Sequence, residues 1–178
     1  MLKKLFLLTG LASPALALAQ VNGLYGGECV SLDGLSAVKD VYFTPDSFEM
    51  VQTVFTDAGC QNPAYDFSVS GTYSFDPNTS AIDFHFEAMR MTAIDDRVAT
   101  TFAEEHLCGL EDWRAHAALD VSGRDCAGQT IPQHNSVAYD ILALSGEGIR
   151  FGKLEPEHDG STPGKRTRTW DTAFYSAK

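Results

Sequence analysis

The sequence predicts an all-β fold: an antiparallel up-and-down barrel of about eight or more strands with one short helix near residues 96–108. Three observations predict it. Apolar and polar residues alternate with period two over most of the chain, clusters of turn-forming residues separate the alternating runs, and one stretch breaks the alternation and carries helix-capping signals instead. A sandwich also accommodates many short strands. The barrel is favoured because the strands follow one another as sequential hairpins, and closure removes the unpaired edges that an all-β protein must otherwise protect.

The chain opens with MLKKLFLLTGLASPALALAQ. Lys3 and Lys4 precede an apolar run from Leu5 to Leu11, and the small-residue pattern Ala17-Leu18-Ala19 follows. These are the n-region, h-region and cleavage site of a secretory signal. The expected organisation is a signal peptide over 1–19, cleaved near Ala19, and one barrel domain over 20–178. The apolar run is shorter than the roughly 20 residues of a membrane-spanning helix. With no cysteine at the cleavage site to take a lipid, the expected location is the periplasm or the medium.

Segments 23–32, 37–43 and 48–55 read as strands, with Thr44-Pro45-Asp46 as a turn between the last two. The clearest strand is AYDFSVSGTYSFD, in which Tyr65, Phe67, Val69, Tyr73 and Phe75 share one face and Asp66, Ser68, Ser70, Thr72 and Ser74 the other. The turn composition Asp76-Pro77-Asn78-Thr79-Ser80 leads into Ile82, Phe84, Phe86 and Ala88 alternating with Asp83, His85 and Glu87, which makes a hairpin. Segments 137–144 and 149–154 flank Ser145-Gly146-Glu147-Gly148, a second hairpin. A closing strand is expected over 167–175. In DDRVATTFAEEHLCG, acidic residues begin the stretch, Val98 and Phe102 lie four apart and Gly109 ends it, as in a short capped helix.

Four cysteines, Cys29, Cys60, Cys108 and Cys126, all follow the signal, and an even count in an oxidising compartment reads as disulfides. Three connectivities are open, and sequence alone does not choose between them. Local loop closure favours Cys29 with Cys60 and Cys108 with Cys126. The stretch His106–Cys126 also holds His116, but its spacing lacks the tight ligand pairs of a zinc site, and no C-x-x-C redox motif exists. No metal or other cofactor is called for.

The 178 residues carry a formal charge of -11, or about -13 once Lys3 and Lys4 leave with the signal. Such a surface repels nucleic acid and anionic lipid, so neither nucleic-acid binding nor stable membrane insertion is expected. No nucleophile elbow, H-E-x-x-H pair or nucleotide-binding glycine loop is present, which argues against an enzyme without settling the point. The row Asp83, His85 and Glu87 has the residue types of a metal or acid/base site, but on one strand face it reads as a solvated outer surface. Glu104, Glu105 and His106 likewise read as the exposed side and end of the helix.

The cysteine contexts carry a resemblance. Cys29, VFTDAGC ending at Cys60, AYDFSVSGTY, LCGLEDW and DVSGRDC together resemble the domain of the adenomatosis polyposis coli down-regulated family and its bacterial relatives, over residues 23–154. The resemblance implies a lipocalin-like barrel, disulfides joining the paired cysteines, and an apolar interior able to receive an acyl chain. The animal members are membrane-anchored, carry the domain in tandem and antagonise Wnt signalling. A single copy without an anchor is expected here, so that role is not expected to carry over. Lipocalin-type barrels also carry Gly-x-Trp in the first strand, where this chain has Gly23-Leu24-Tyr25.

The function expected is that of an exported, non-enzymatic binding protein for a small hydrophobic or acyl-bearing ligand. Phe67, Tyr73, Phe84, Phe86 and Tyr139 are the expected ligand contacts, and Phe75 and Trp113 complete the inward aromatic set, Trp113 against the disulfide of Cys108. The alternatives are a filled barrel that presents its loops to a protein partner and, further off, a hydrolytic enzyme. The acidic surface disfavours anionic head groups unless a basic patch such as Lys165, Arg166 and Arg168 sits at the barrel mouth. Neutral esters or alcohols are accordingly expected to bind at least as well as free acids.

Overall fold

The computed structural model describes residues 21–32 and 34–178, and the signal-like segment 1–19 lies outside them. The strands are Gly23–Gly26 (β1), Val30–Leu32 (β2), Leu35–Phe43 (β3), Ser47–Phe55 (β4), Pro63–Asp76 (β5), Ala81–Ala93 (β6), Ala118–Asp120 (β7), Asp125–Cys126 (β8), Gln129–Thr130 (β9), Val137–Leu144 (β10), Gly148–Phe151 (β11) and Tyr175–Ala177 (β12), with one helix, Asp96–Glu104 (α1). They form an antiparallel up-and-down barrel of eight strand positions, ordered β1-β3-β4-β5-β6-β10-β11-β12 and closed by pairing of β1 with both β3 and β12. β2 continues the position of β1 against β3, and β7 continues that of β10 against β6. β8 and β9 form a separate small ribbon.

The long β5–β6 hairpin sets the frame. Its turn is locked by the Asp76 carboxylate, which accepts from Asn78 N at 2.9 Å and from the Thr79 hydroxyl at 2.8 Å. Halfway along, the register shifts between Ser70 and Gly71, and Glu87 is the extra residue on β6. A side chain at Gly71 would collide with the His85 carbonyl, so the bulge requires glycine there. The bulge also changes the phase. Ile82, Phe84 and Phe86 point inward as expected, but Met89, Met91 and Ala93 then take the inward places in which continued alternation puts Ala88.

Two further expectations are corrected. The helix stops at Glu104 rather than reaching 108, because His106 adopts a left-handed conformation (φ 49°, ψ 41°) and turns the chain into a short 3-10 segment, Leu107–Gly109. Its start is as the sequence indicates: Asp95 caps it, accepting from Val98 N at 2.8 Å. The closing strand is Tyr175–Ala177, not 167–175. The residues before it are held by side chains instead: Thr167 is buried against Asp140, and Arg166 donates to the carbonyls of Ile82 at 3.0 Å and Asp140 at 2.8 Å.

Both disulfides form as local loop closure favours, Cys29–Cys60 and Cys108–Cys126. Two disulfides fit an oxidising compartment. No helix among the described residues is long and apolar enough to cross a membrane.

The core divides along the barrel axis. In the lower half Phe84 meets Phe48, Phe151 and Phe43 at ring-centroid distances of 4.7, 6.1 and 6.4 Å. Val41, Ile82, Leu142 and Ile149 are fully buried around them. In the upper half Met89, Met91 and Ala93 pack with Ala99 of α1, Trp113, Ile131 and the Cys108–Cys126 disulfide. Trp113, 6% exposed, stacks edge-on against Phe102 at 5.1 Å.

Truncating Phe84 to alanine is expected to cost about 3–5 kcal/mol, because three neighbouring rings cannot collapse into the void. Ser74→Ala, on the exposed face of the same hairpin, is expected to stay within about 0.5 kcal/mol of the parent. Urea unfolding of both variants checks the pair, and equal losses would mean that the hairpin is turned inside out.

Candidate functional site

Residues paired across antiparallel strands share a face, so the register draws belts of side chains around the interior. Val41, Met50, Val69 and Met89 form one belt, all of it apolar. The belt above it runs Lys39, Gln52, Phe67, Met91 and Leu119. Ala37, Val54, Tyr65 and Ala93 form the next. The middle belt is polar at one end and apolar at the other, and two cavities open onto it.

The first cavity, of about 540 Å³, is lined by Gly27, Glu28, Val30, Ala37, Lys39, Gln52 and the segment Asp171 to Tyr175. The second, of about 340 Å³, is lined by Gln52, Tyr65, Phe67, Met91, Phe102, Leu107, Cys126 and Ile131, with Ala127, Gln129 and Pro132 at its edge. Gln52 borders both. Helix α1 supplies Phe102, and its cap and the Cys108–Cys126 disulfide hold that wall in place.

The Lys39 ammonium is the unusual group. Its neighbours on the same face of β3 are Ala37, Val41 and Phe43, exposed by 2%, 0% and 0%. Burial lowers its pKa below that of a free lysine, while Asp171 and Asp140 pull in the other direction. Among the described residues it has no ion-pair partner within 4.0 Å. The two carboxylates are engaged elsewhere. Asp171 accepts from Ala173 N at 3.2 Å, and Asp140 from Ile141 N at 2.7 Å, Gly152 N at 3.1 Å and the Thr167 hydroxyl. Burial nonetheless raises the Asp140 carboxyl above its ordinary pKa.

Among the expected ligand contacts, only Phe67 lines one of these cavities. Phe84 lies in the filled lower core, Phe86 packs between the two cores, and the Tyr73 hydroxyl sits 2.8 Å from the Val21 carbonyl and 2.9 Å from that of Thr44. Tyr139 is not inward at all. It pairs with Asp83 on the outer face, beneath the Arg166 guanidinium at 5.5 Å, because Ala138 takes the inward place opposite Phe84. The row Asp83, His85 and Glu87 also faces outward, and Asp83 is paired with Arg166 at 2.6 Å.

The basic trio does not reach the mouth of either cavity. Lys165 is paired with Asp159 at 3.1 Å, Arg166 is bound to Asp83 and to carbonyls, and Arg168 is exposed. Ser161 and Lys165 hold the Asp159 carboxyl down at about 2.

Sequence reasoning missed Lys39 and Gln52, although a signal was present. Alternation places Lys39 with Ala37, Val41 and Phe43, and Gln52 with Phe48, Met50 and Val54. A polar residue on an otherwise apolar strand face marks such a position. No protein-family model matches this chain, and no curated protein matches it either.

An unpaired, partly buried ammonium destabilises its own fold, so Lys39→Met is expected to raise stability at pH 7. The sign with pH follows from the lowered pKa. Below the folded-state pKa the lysine penalty is fully present. As pH rises from that value towards about 10.4, the folded state has already released the proton that the unfolded chain still holds, and the penalty fades. Urea unfolding of both proteins should therefore show the gain at pH 7 and its disappearance near pH 10.5. A large loss at pH 7 would mean that Lys39 is paired in solution.

Proposed function

We propose that this chain is an exported, non-enzymatic binding protein that holds a small hydrophobic or acyl-bearing ligand in the upper half of its barrel. The observation that carries the reading is the division of the interior: aromatic rings fill the lower half, while the upper half keeps the 340 Å³ apolar cavity beside the larger one. Small-molecule sites have this character, a mostly apolar concavity with a few polar groups that fix orientation. An eight-stranded barrel has room for side chains or for one small ligand.

Burial of hydrocarbon against Tyr65, Phe67, Met91 and Phe102 supplies the affinity, about 0.8 kcal/mol per methylene before the cost of association is subtracted. Export is supported by the signal-like 1–19 segment and by the two disulfides. The resemblance of the cysteine contexts to the adenomatosis polyposis coli down-regulated domain leads to the same reading, since it implies an acyl-accepting barrel with these cysteine pairs.

Trp113 touches Phe102, which lines the apolar cavity, so its fluorescence should respond when that cavity fills. Titration of the disulfide-intact mature chain with a fluorescent acyl probe is expected to saturate, and Met91→Trp, which fills the cavity, is expected to weaken binding by at least about tenfold, or 1.4 kcal/mol. Native mass spectrometry of protein purified from its own source should retain a lipid-sized mass. Absence of both the retained mass and saturable binding would favour a filled scaffold acting through its loops.

A further inference from the structure

We infer that the ligand is an amphiphile with a carboxylate head group, clamped by Lys39 and Gln52, with its tail in the cavity lined by Tyr65, Phe67 and Met91. The inference rests on the binding-barrel reading above and adds the chemistry of the head group. Lys39 and Gln52 are a direct cross-strand pair on the inner face of β3 and β4, so their side chains leave the wall side by side. Both line the larger cavity, and Gln52 also lines the apolar one, which places the polar pair at the junction where a head group gives way to a tail.

The hydrogen-bonding inventory selects the head group. An ammonium offers three donors and an amide two more, and among the described residues neither side chain is paired with a protein group. What the ammonium lacks is therefore an anionic acceptor within ion-pair distance. Glu28 and Asp171 line the same cavity and Asp140 acts on Lys39 from nearby, but none of the three lies within ion-pair distance of its ammonium, and Asp140 and Asp171 accept from backbone groups instead. One cation without a partner matches one negative charge, and a carboxylate accepts from both donors at once. A phosphate monoester brings nearly two charges and more acceptors than the pair satisfies. The surface charge of -11 does not override this, since exposed charges are screened beyond about 8 Å at physiological salt while a charge inside the barrel is not. The basic patch that the sequence suggested for this role is spent on Asp159 and Asp83, and the cation comes from within the barrel wall.

Displacement of a fluorescent acyl probe by dodecanoic acid, methyl dodecanoate and dodecanol at neutral pH tests the clamp. Wild type is expected to bind the acid at least about tenfold more tightly than the ester or the alcohol, and Lys39→Met to bring the acid to the level of the alcohol. Gln52→Leu should reduce the acid preference several-fold, and Lys39→Arg should retain most of it. The wild-type ratio needs no variant to fold. If the ester and alcohol bind as well as the acid, or if the preference survives in Lys39→Met, the clamp is wrong and the binding barrel stands. If none of the three binds, the binding-barrel reading fails, and the clamp fails with it.

Discussion

The bulge at Ser70–Gly71, with Glu87 opposite, is the constraint on which the rest of the structure depends. A strand turns successive side chains to opposite faces, so a single extra residue exchanges inside and outside for everything beyond it. Without the bulge, Phe84 and Phe86 could point inward only if Met89, Met91 and Ala93 pointed out. The upper core, the packing of α1 and the belt that reaches Lys39 and Gln52 all require those three residues inside. The bulge in turn requires Gly71, because the His85 carbonyl occupies the space a Cβ would need.

From that phase follows a division of labour along the axis. The lower half is packed with rings in edge-to-face contact, the arrangement that the aromatic quadrupole favours, and it contributes rigidity and stability. The upper half is walled by a helix, a disulfide and small irregular strands, and it is open. A lysine on an apolar face is unfavourable to folding, as burial of an ammonium always is without a partner. Such local conflicts between fold and residue concentrate where a protein binds something, because the ligand supplies the partner that folding does not.

The outer wall shows the opposite pattern, since several of its charged groups pair with one another. Asp83 holds Arg166, Asp120 lies 3.1 Å from His134, and Lys178 reaches Asp40 at 2.7 Å. These pairs are at least partly exposed and contribute little individually, but Arg166 also ties the segment before β12 to two barrel carbonyls. That segment takes the place of a regular strand beside β10, and Asp140 and Thr167 secure it where Gly152 lets the chains approach closely.

The strand class, the β5–β6 hairpin with its Asp76 turn, the Asp95 cap and the inward face of Tyr65 to Phe75 were legible in the sequence, because each depends on side-chain period or on hydrogen bonds between residues a few positions apart. Local loop closure favoured the disulfide partners that form, and the fold chose among the three connectivities. What the tertiary structure decided is whatever depends on register between distant strands. The phase change at Glu87, the outward turn of Tyr139 opposite Asp83, the capture of Arg166 by Asp83, and the joining of Lys39 to Gln52, Phe67 and Met91 in one belt each arise from contacts between strands or segments that meet only in the folded chain. Alternation along one strand says that a residue shares a face with its neighbours two positions away, but only the partner strand says which face closes on the core and which side chains from elsewhere in the chain meet it there.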